Sequence, residues 1–371
     1  MSSIYIHIPF CHRKCIYCGF YSIAQKYDKD LYVNTLIKEL NLRKNHLGKN
    51  IDTVYFGGGT PSLLNVKQIE KILTAIHKIY NVNSRAEITI EANAENCQKN
   101  YLKDLKNLGF NRLSIGIESF NDKELKFLNR SHTSNEAKNA IENAKQAEFP
   151  NISIDLICNI PNSTIESWQK NLETFLEYNL QHISCYNLMI EENTMLEKML
   201  KKGKFSLISE DLALEQFDLT MQILETHSYI HYETSSYALK GFQSRHNTAY
   251  WTFKNYLGIG ASAHSYYNNQ RVWNEDNIEL YINRINNSKT ETLYRKENLN
   301  IKDNYNEYIM LALRMPKAIN PIFVKENFPN QYPIFSKKLQ EQINKGLLNK
   351  DLSFTKKGWH LQDEIILELA Q

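Results

Sequence analysis

The sequence predicts an α/β protein: six consecutive βα units followed by a small helical unit. Three observations predict it. Between residue 4 and about residue 230, short β-rich apolar runs alternate with longer amphipathic stretches, the pattern of parallel strands joined by crossover helices. Within the amphipathic stretches, apolar residues recur at intervals of three and four. After about residue 240 the rhythm gives way to an aromatic and histidine-rich stretch at 242–267, and then to a helical tail. With 42% hydrophobic and 23% charged residues over 371 positions, the chain can bury a sizeable core. That balance excludes collagen-like, disordered and disulfide-scaffold classes.

The strands are read at 4–8, 53–56, 87–91, 112–117, 152–157 and 182–187, each ending in a polar or glycine-bearing loop. The first two helices show apolar faces, through Leu31, Val33, Leu36, Ile37 and Leu40 and through Ile69, Ile72, Leu73, Ile76 and Ile79. Six units are too few for an eight-stranded barrel. The pattern fits either an open six-stranded barrel or a doubly wound sheet. A charged, Asn-rich connection at 286–303 places a boundary near 290–300, ahead of helices at 305–315, 334–343 and 357–369 with a stop at Gly346. This tail has the order of a winged-helix unit. The chain therefore divides into 1–230, an extension at 231–295, and 296–371.

Lys and Arg number 44 against 41 Asp and Glu, a balance of +3, so no charge field points to nucleic acid as a partner. Lys350, Lys356 and Lys357 in the tail do not make the basic stripe of a DNA reader. No stretch approaches the roughly 18 apolar residues of a membrane helix, and the first residues lack the basic flank of a signal peptide. The expectation is a cytoplasmic protein, not an integral membrane one.

Three of the six cysteines, Cys11, Cys15 and Cys18, fall in the loop after the first strand; Cys97, Cys158 and Cys185 are scattered. Isolated cysteines are ordinarily buried as small apolar residues. The clustered trio reads as a metal site in a reducing compartment. Zinc demands a fourth ligand, for which His7 or His12 stands nearby, but structural zinc sites usually come as paired Cys/His couples. Three thiolates with nothing adjacent to complete them point to an iron–sulfur cubane with one open iron.

The later loops carry further candidates. Gly57-Gly58-Gly59-Thr60-Pro61 follows the second strand, where glycines admit a ligand close to the backbone. Glu91 ends the third strand and can accept hydrogen bonds from hydroxyls or an ammonium group. Glu118 ends the fourth strand, Arg130 follows it with a fork suited to a carboxylate, and Asp155 lies in the fifth. Gly258-Ile259-Gly260-Ala261-Ser262-Ala263 matches a dinucleotide fingerprint, but the polar run from His264 cannot continue as an apolar helix, so a nicotinamide site is rejected. Those glycines read as a close-packed turn over the barrel mouth.

The C-x3-C-x2-C spacing with Tyr17 before the last cysteine resembles the radical S-adenosylmethionine superfamily, in which the open iron of a [4Fe–4S] cluster chelates the amino and carboxylate groups of S-adenosylmethionine. The Tyr5-Ile6-His7-Ile8-Pro9-Phe10-Cys11 run, the Gly-Gly-Thr-Pro loop, Asn111 to Ser114, Tyr232 to Ser235 and Gly258 to Tyr266 extend the likeness over nearly the whole chain. They resemble the branch that holds oxygen-independent coproporphyrinogen III dehydrogenases and a group of heme chaperones. The resemblance implies an open (β/α)6 partial TIM-type barrel with a C-terminal winged-helix-like unit, cluster ligands Cys11, Cys15 and Cys18, and a cofactor site lined by Tyr5, Gly58, Gly59, Thr60, Glu91, Glu118, Arg130 and Asp155.

Within that branch Phe20 stands where the dehydrogenases have a fourth cysteine, and only ten residues precede Cys11, which favours the chaperones. The run His246-Asn247-Thr248-Ala249-Tyr250-Trp251 is similar to their heme-associated motif, with His246 as candidate axial ligand. Departures are Glu118 for the usual Gln, Ala94 for Pro and Ser236 for Asn; none removes a cluster ligand. The implied function is a chaperone that carries heme to respiratory hemoproteins, visiting the inner membrane peripherally during transfer. The alternative is oxidative decarboxylation of coproporphyrinogen III by a 5′-deoxyadenosyl radical. A zinc-stabilised interaction module is a third reading.

Overall fold

The computed structural model describes residues 2–287, 294–317 and 319–371. Its first six strands are β1 (Ser3–Ile8), β2 (Asn50–Gly58), β3 (Asn81–Asn93), β4 (Arg112–Glu118), β5 (Ile152–Cys158) and β6 (His182–Asn187). They pair in parallel and in sequential order. That order decides between the two folds the sequence left open. Right-handed crossovers along an unreversed sheet put every helix on one face, whereas a doubly wound sheet reverses at a switch point. The fold is the open six-stranded βα barrel.

The strands alternate as a curved sheet requires. Ile4, Ile6 and Ile8 of β1, Val54 and Phe56 of β2, and Leu113, Ile115 and Ile117 of β4 are buried in one continuous core. The alternate positions face inward and are largely polar: Tyr5 and His7, Thr53 and Tyr55, Thr89 and Glu91, Arg112 and Ser114, Ser153 and Asp155, His182 and Ser184. Outside, the helix Lys29–Leu42 starts at an Asp28 side-chain cap, and Val66–Ile79 starts at a capping box of Asn65 and Gln68. Both pack as expected, except that Leu31 is exposed and does not share the buried face of Val33, Leu36 and Leu40.

The barrel stays open because β1 and β6 each take other partners. Further along the chain come β7 (Ile230–Glu233), β8 (Ser236–Ala238), β9 (Tyr256–Ile259), β10 (His264–Tyr267), β11 (Gln270–Trp273) and β12 (Arg295–Asn298). All twelve strands form one sheet, β12-β11-β10-β9-β1-β2-β3-β4-β5-β6-β8-β7. β9 lies parallel beside β1, while β8 pairs antiparallel with β6. The boundaries expected at 230/231 and 295/296 therefore fall inside β7 and β12, within this one sheet. The expected connection at 286–303 is described only at 286–287 and 294–303; residues 288–293 lie outside the described residues.

The tail has its own core of Tyr305, Ile309, Phe335, Leu339, Trp359 and Ile365, against which Phe217 and Phe253 of the preceding chain pack. Its helices are Ile301–Ala312, Pro321–Asn327, Tyr332–Asn344, Lys356–His360 and Gln362–Leu369. An antiparallel bridge between Leu348 and Phe354 makes the small wing. The last expected helix is thus broken near Leu361, and Pro321–Asn327 is one the sequence reading did not include.

The helix Ile165–Glu177 is fixed by Trp168, which is buried and whose indole N–H donates to Thr220 Oγ1 at 2.9 Å and to the Gln216 carbonyl at 3.2 Å. Trp168→Ala should cost about 3–5 kcal/mol of unfolding free energy, the range for deleting a large buried aromatic, measured by urea titration; a loss under about 1 kcal/mol would show that the site collapses around the missing ring.

Candidate cofactor site

β1 delivers the cysteine loop to the open end of the barrel. The loop is closed at its base: Cys11 N–H donates to the Ile23 carbonyl at 2.9 Å, and Ile23 N–H to the Pro9 carbonyl at 2.7 Å. Cys11, Cys15 and Cys18 are all half-buried free thiols. Burial pushes the Cys11 thiol up, and pushes Cys18 up to about 11, with the neighbouring cysteines adding to both rises. Deprotonating these thiols for a metal therefore needs positive charge nearby. Arg130 supplies one such charge, its guanidinium lying 3.4 Å from Cys15 Sγ. On the other side the Thr60 hydroxyl donates to Cys11 Sγ at 3.7 Å.

Arg130 has further partners at both terminal nitrogens. It donates to the Gly116 carbonyl at 2.6 Å and to Asn93 Oδ1 at 3.1 Å, and it faces Glu118 at 3.6 Å. Glu118 adopts a left-handed backbone with φ 65°, at a register shift between β4 and β5. Bulges of this kind re-aim a side chain, here at a backbone strain that a non-glycine residue seldom accepts. Asn93, two residues beyond Glu91 on the same face, ties Arg130 to Thr60. It escaped the sequence reading, although period-two alternation from Glu91 marks it.

Glu91 accepts from Tyr55 hydroxyl at 2.7 Å and from Gly58 N–H at 3.2 Å; burial raises its pKa. Gly58 has φ 111°, and a Cβ there would meet the His7 ring at 2.6 Å, while one on Gly59 would meet the Phe10 and Ile8 carbonyl oxygens within 2.9 Å. Both glycines are therefore required by the fold of the loop itself. Asp155 accepts from Ser114 at 3.2 Å. Burial, reinforced by Glu118, raises its pKa to about 7. His7, offered as a zinc ligand, is used up: Nδ1 bonds the Tyr5 hydroxyl and Nε2 the Tyr21 carbonyl.

Tyr5, Gly58, Glu91 and His246 line one cavity of about 630 Å³, together with Gly19 and Phe20 of the cysteine loop. Thr60 and Arg130 touch the cysteines instead, and Asp155 is bonded to Ser114 outside this lining, so the expected residues form layers around the loop and cavity rather than a single lining. The far wall is aromatic: Tyr250, Trp251, Tyr256 and Tyr266. His246 lies in the cavity lining with both ring nitrogens bonded inside the protein. Its Nδ1 bonds Thr53 Oγ1 at 2.8 Å and its Nε2 the Tyr250 hydroxyl at 2.8 Å, so the imidazole has no nitrogen left for an iron. Burial, with Arg112 next, lowers its pKa to about 3. The helix Arg245–Trp251 that carries it is anchored by Glu87, whose carboxylate accepts from the N–H groups of Arg245 and His246 at 3.0 and 2.9 Å. Glu87 was not among the expected residues.

The family described as the radical SAM superfamily matches residues 5–175. The chain is 34% identical to a protein of Lactococcus lactis named heme chaperone HemW, over 98% of this chain and 96% of that one. The same name is carried by a Bacillus subtilis protein 31% identical over 98% of both chains. The chain belongs to the HemW family. Among solved structures, coproporphyrinogen III oxidase (HemN) from Escherichia coli superposes with a TM-score of 0.85 at 23% identity, covering 100% of this chain and 90% of that one, which confirms the fold. Among the described residues no three His, Cys, Asp or Glu side chains are arranged for a single metal ion. The fit of the HemW-type loop to an iron–sulfur cluster rests on its three half-buried thiols within eight residues and on Arg130 and Thr60 directed at the sulfurs of Cys15 and Cys11.

Asp155 gives a pH test of the interior. Between the unfolded carboxyl pKa of about 3.9 and the folded value of about 7, the folded chain holds a proton that the unfolded chain has released. Stability therefore falls as pH rises through that window and levels off above it. Asp155→Asn should remove this decline, on the order of 1 kcal/mol per pH unit, in urea titrations at pH 5 and pH 8; equal slopes for variant and wild type would place the Asp155 pKa in the ordinary range.

Proposed function

We propose that this protein carries heme and delivers it to respiratory hemoproteins at the inner membrane, with a [4Fe–4S] cluster on Cys11, Cys15 and Cys18 and S-adenosylmethionine beside it. The observation that carries the reading is the single cavity that begins at the cysteine loop and ends at an aromatic wall, in a chain similar over its whole length to proteins named heme chaperones. Aromatic rings give a flat macrocycle stacking area. No helix among the described residues is long and apolar enough to cross a membrane. In this reading the protein resides in the cytoplasm and meets the membrane peripherally during delivery.

Each residue has a part in this reading. The cluster, when bound, supplies an open iron that takes the amino and carboxylate groups of S-adenosylmethionine. Arg130 offsets the negative charge of the thiolates, and Glu118 holds Arg130 in place. Thr60 donates to Cys11. Tyr5, the Gly58 and Gly59 backbone and Glu91 face the cofactor, and Asp155, held by Ser114, adds a further acceptor to the polar interior. Glu91 offers acceptors to hydroxyl or ammonium groups, and the tight approach of Gly58 to His7 leaves the loop backbone open to a ligand. His246 stiffens the wall next to the heme rather than binding its iron. The exposed ring of Phe20 stands where the dehydrogenase pattern has a fourth cysteine.

Anaerobic reconstitution tests the cluster. Cys11→Ala, Cys15→Ala and Cys18→Ala should lose iron and sulfide, while Cys158→Ala, buried away from the loop, should keep wild-type content; the reverse pattern would refute the ligand set. Incubating the reconstituted protein with reductant, S-adenosylmethionine and coproporphyrinogen III should yield no protoporphyrinogen, and a pigment product would replace the chaperone reading with the dehydrogenase one.

A further inference from the structure

We infer that His264, and not His246, provides the axial nitrogen for heme iron, with Arg271 and Lys254 at the rim receiving the propionates. The inference rests on the heme-carrying function proposed above and assigns its site.

Three histidines line the cavity: His7, His246 and His264. The first two have both ring nitrogens bonded within the protein. His264 makes no side-chain hydrogen bond to any described residue, and its ring is exposed at the cavity. Only this imidazole can offer a nitrogen lone pair to a metal without breaking a bond first. Desolvation at the rim and the Arg271 guanidinium lower its pKa, which keeps the ring in the neutral form that ligates metals.

The ring is also held in place. It stacks on Trp273 across β10 and β11, with the planes 17° apart. Behind it, Gly258 lets β9 and β10 close up, since a Cβ at Gly258 would stand 2.0 Å from the His264 carbonyl oxygen. Period-two alternation puts His264 and Tyr266 on the same face of β10, both lining the cavity, and Tyr250 packs edge-on against Tyr256 next to them, at 4.5 Å between ring centroids. A macrocycle lying along this wall presents its face to His264 and its edge to the rim. There Lys254 is exposed without an ion-pair partner among the described residues, and Arg271 is paired with Glu307 from the tail. Charge-assisted bonds from these cations suit carboxylates, and propionate binding at Arg271 would release Glu307.

The test is ferric heme (hemin) binding to the cluster-loaded protein, followed by the Soret difference spectrum and by electron paramagnetic resonance of the ferric heme. The exposed His77→Ala on the outer helix serves as control, and iron–sulfur content reports folding. Wild-type uptake is read first; no uptake refutes the heme-carrying function and this site with it. Given uptake, His264→Ala should lose the histidine-ligated signature and weaken hemin binding about tenfold or more, since even outer-shell changes at metal sites cost that much. Added imidazole should restore the signature in the His264→Ala protein. Retention of the wild-type spectrum by His264→Ala, or a loss that imidazole does not reverse, overturns the assignment while leaving heme binding as such intact.

Discussion

The inner face of this barrel is polar at almost every position, and the rest of the structure is arranged to make that tolerable. Buried polar groups destabilise a fold unless they are hydrogen-bonded, and buried charges do so more severely unless paired. The strands meet most of the requirement across their neighbours: Ser153 with His182, and His182 with Tyr232; Thr53 with His246; Tyr55 with Glu91, while Thr89 Oγ1 and Arg112 Nε are left without a partner among the described residues. Arg112, buried among Glu87, Tyr55, Tyr232 and Asp155, keeps its charge because those neighbours outweigh the cost of desolvation. An apolar interior would have been more stable but would have offered no acceptors to a cofactor.

The same pairing logic connects parts of the chain that are distant in sequence. Glu87 on β3 caps the helix of the His246 motif, and His246 reaches back to Thr53 on β2, so the aromatic wall is fastened to the barrel by three side-chain contacts. Arg130 plays the corresponding part at the cysteine loop, joining Cys15, Asn93, Gly116 and Glu118. The strained backbone of Glu118 persists because the ion pair and the bulge over-determine it. The Glu118 carboxylate both forms that pair and adds to the rise of the Asp155 pKa.

How much of this was legible in the sequence follows from the physics of each part. The six parallel strands declared themselves because their outward positions are Ile, Leu and Val, which must be buried against helices. The cysteine trio was legible because three thiolates in one loop have few other uses. Strands β7 to β12 were not, because each has only three or four residues and several carry Asn, Gln or charged side chains. The hydrogen bonds of His246 were not legible for a different reason. A sequence shows that an imidazole is in aromatic company but not that Thr53, nearly two hundred residues away, already holds one nitrogen and Tyr250 the other. Glu87 and Asn93 act through backbone and second-layer bonds, which leave little trace in local pattern.

β1 is hydrogen-bonded along both edges, to β2 on one side and to β9 on the other. A strand gripped in this way cannot slide. A slip of one residue would turn Tyr5 and His7 into the helix layer and Ile4 and Ile6 into the polar interior, and would break two ladders at once. The cysteine loop therefore leaves the sheet from a point fixed to within less than a residue. The strand acts as a ruler shared by both halves of the cavity: Tyr5 lies opposite Tyr55 on one ladder and Gly258 on the other. Any cargo on the β9–β10 wall and any group on the cysteines are thus spaced by the same six residues, whatever the surrounding loops do.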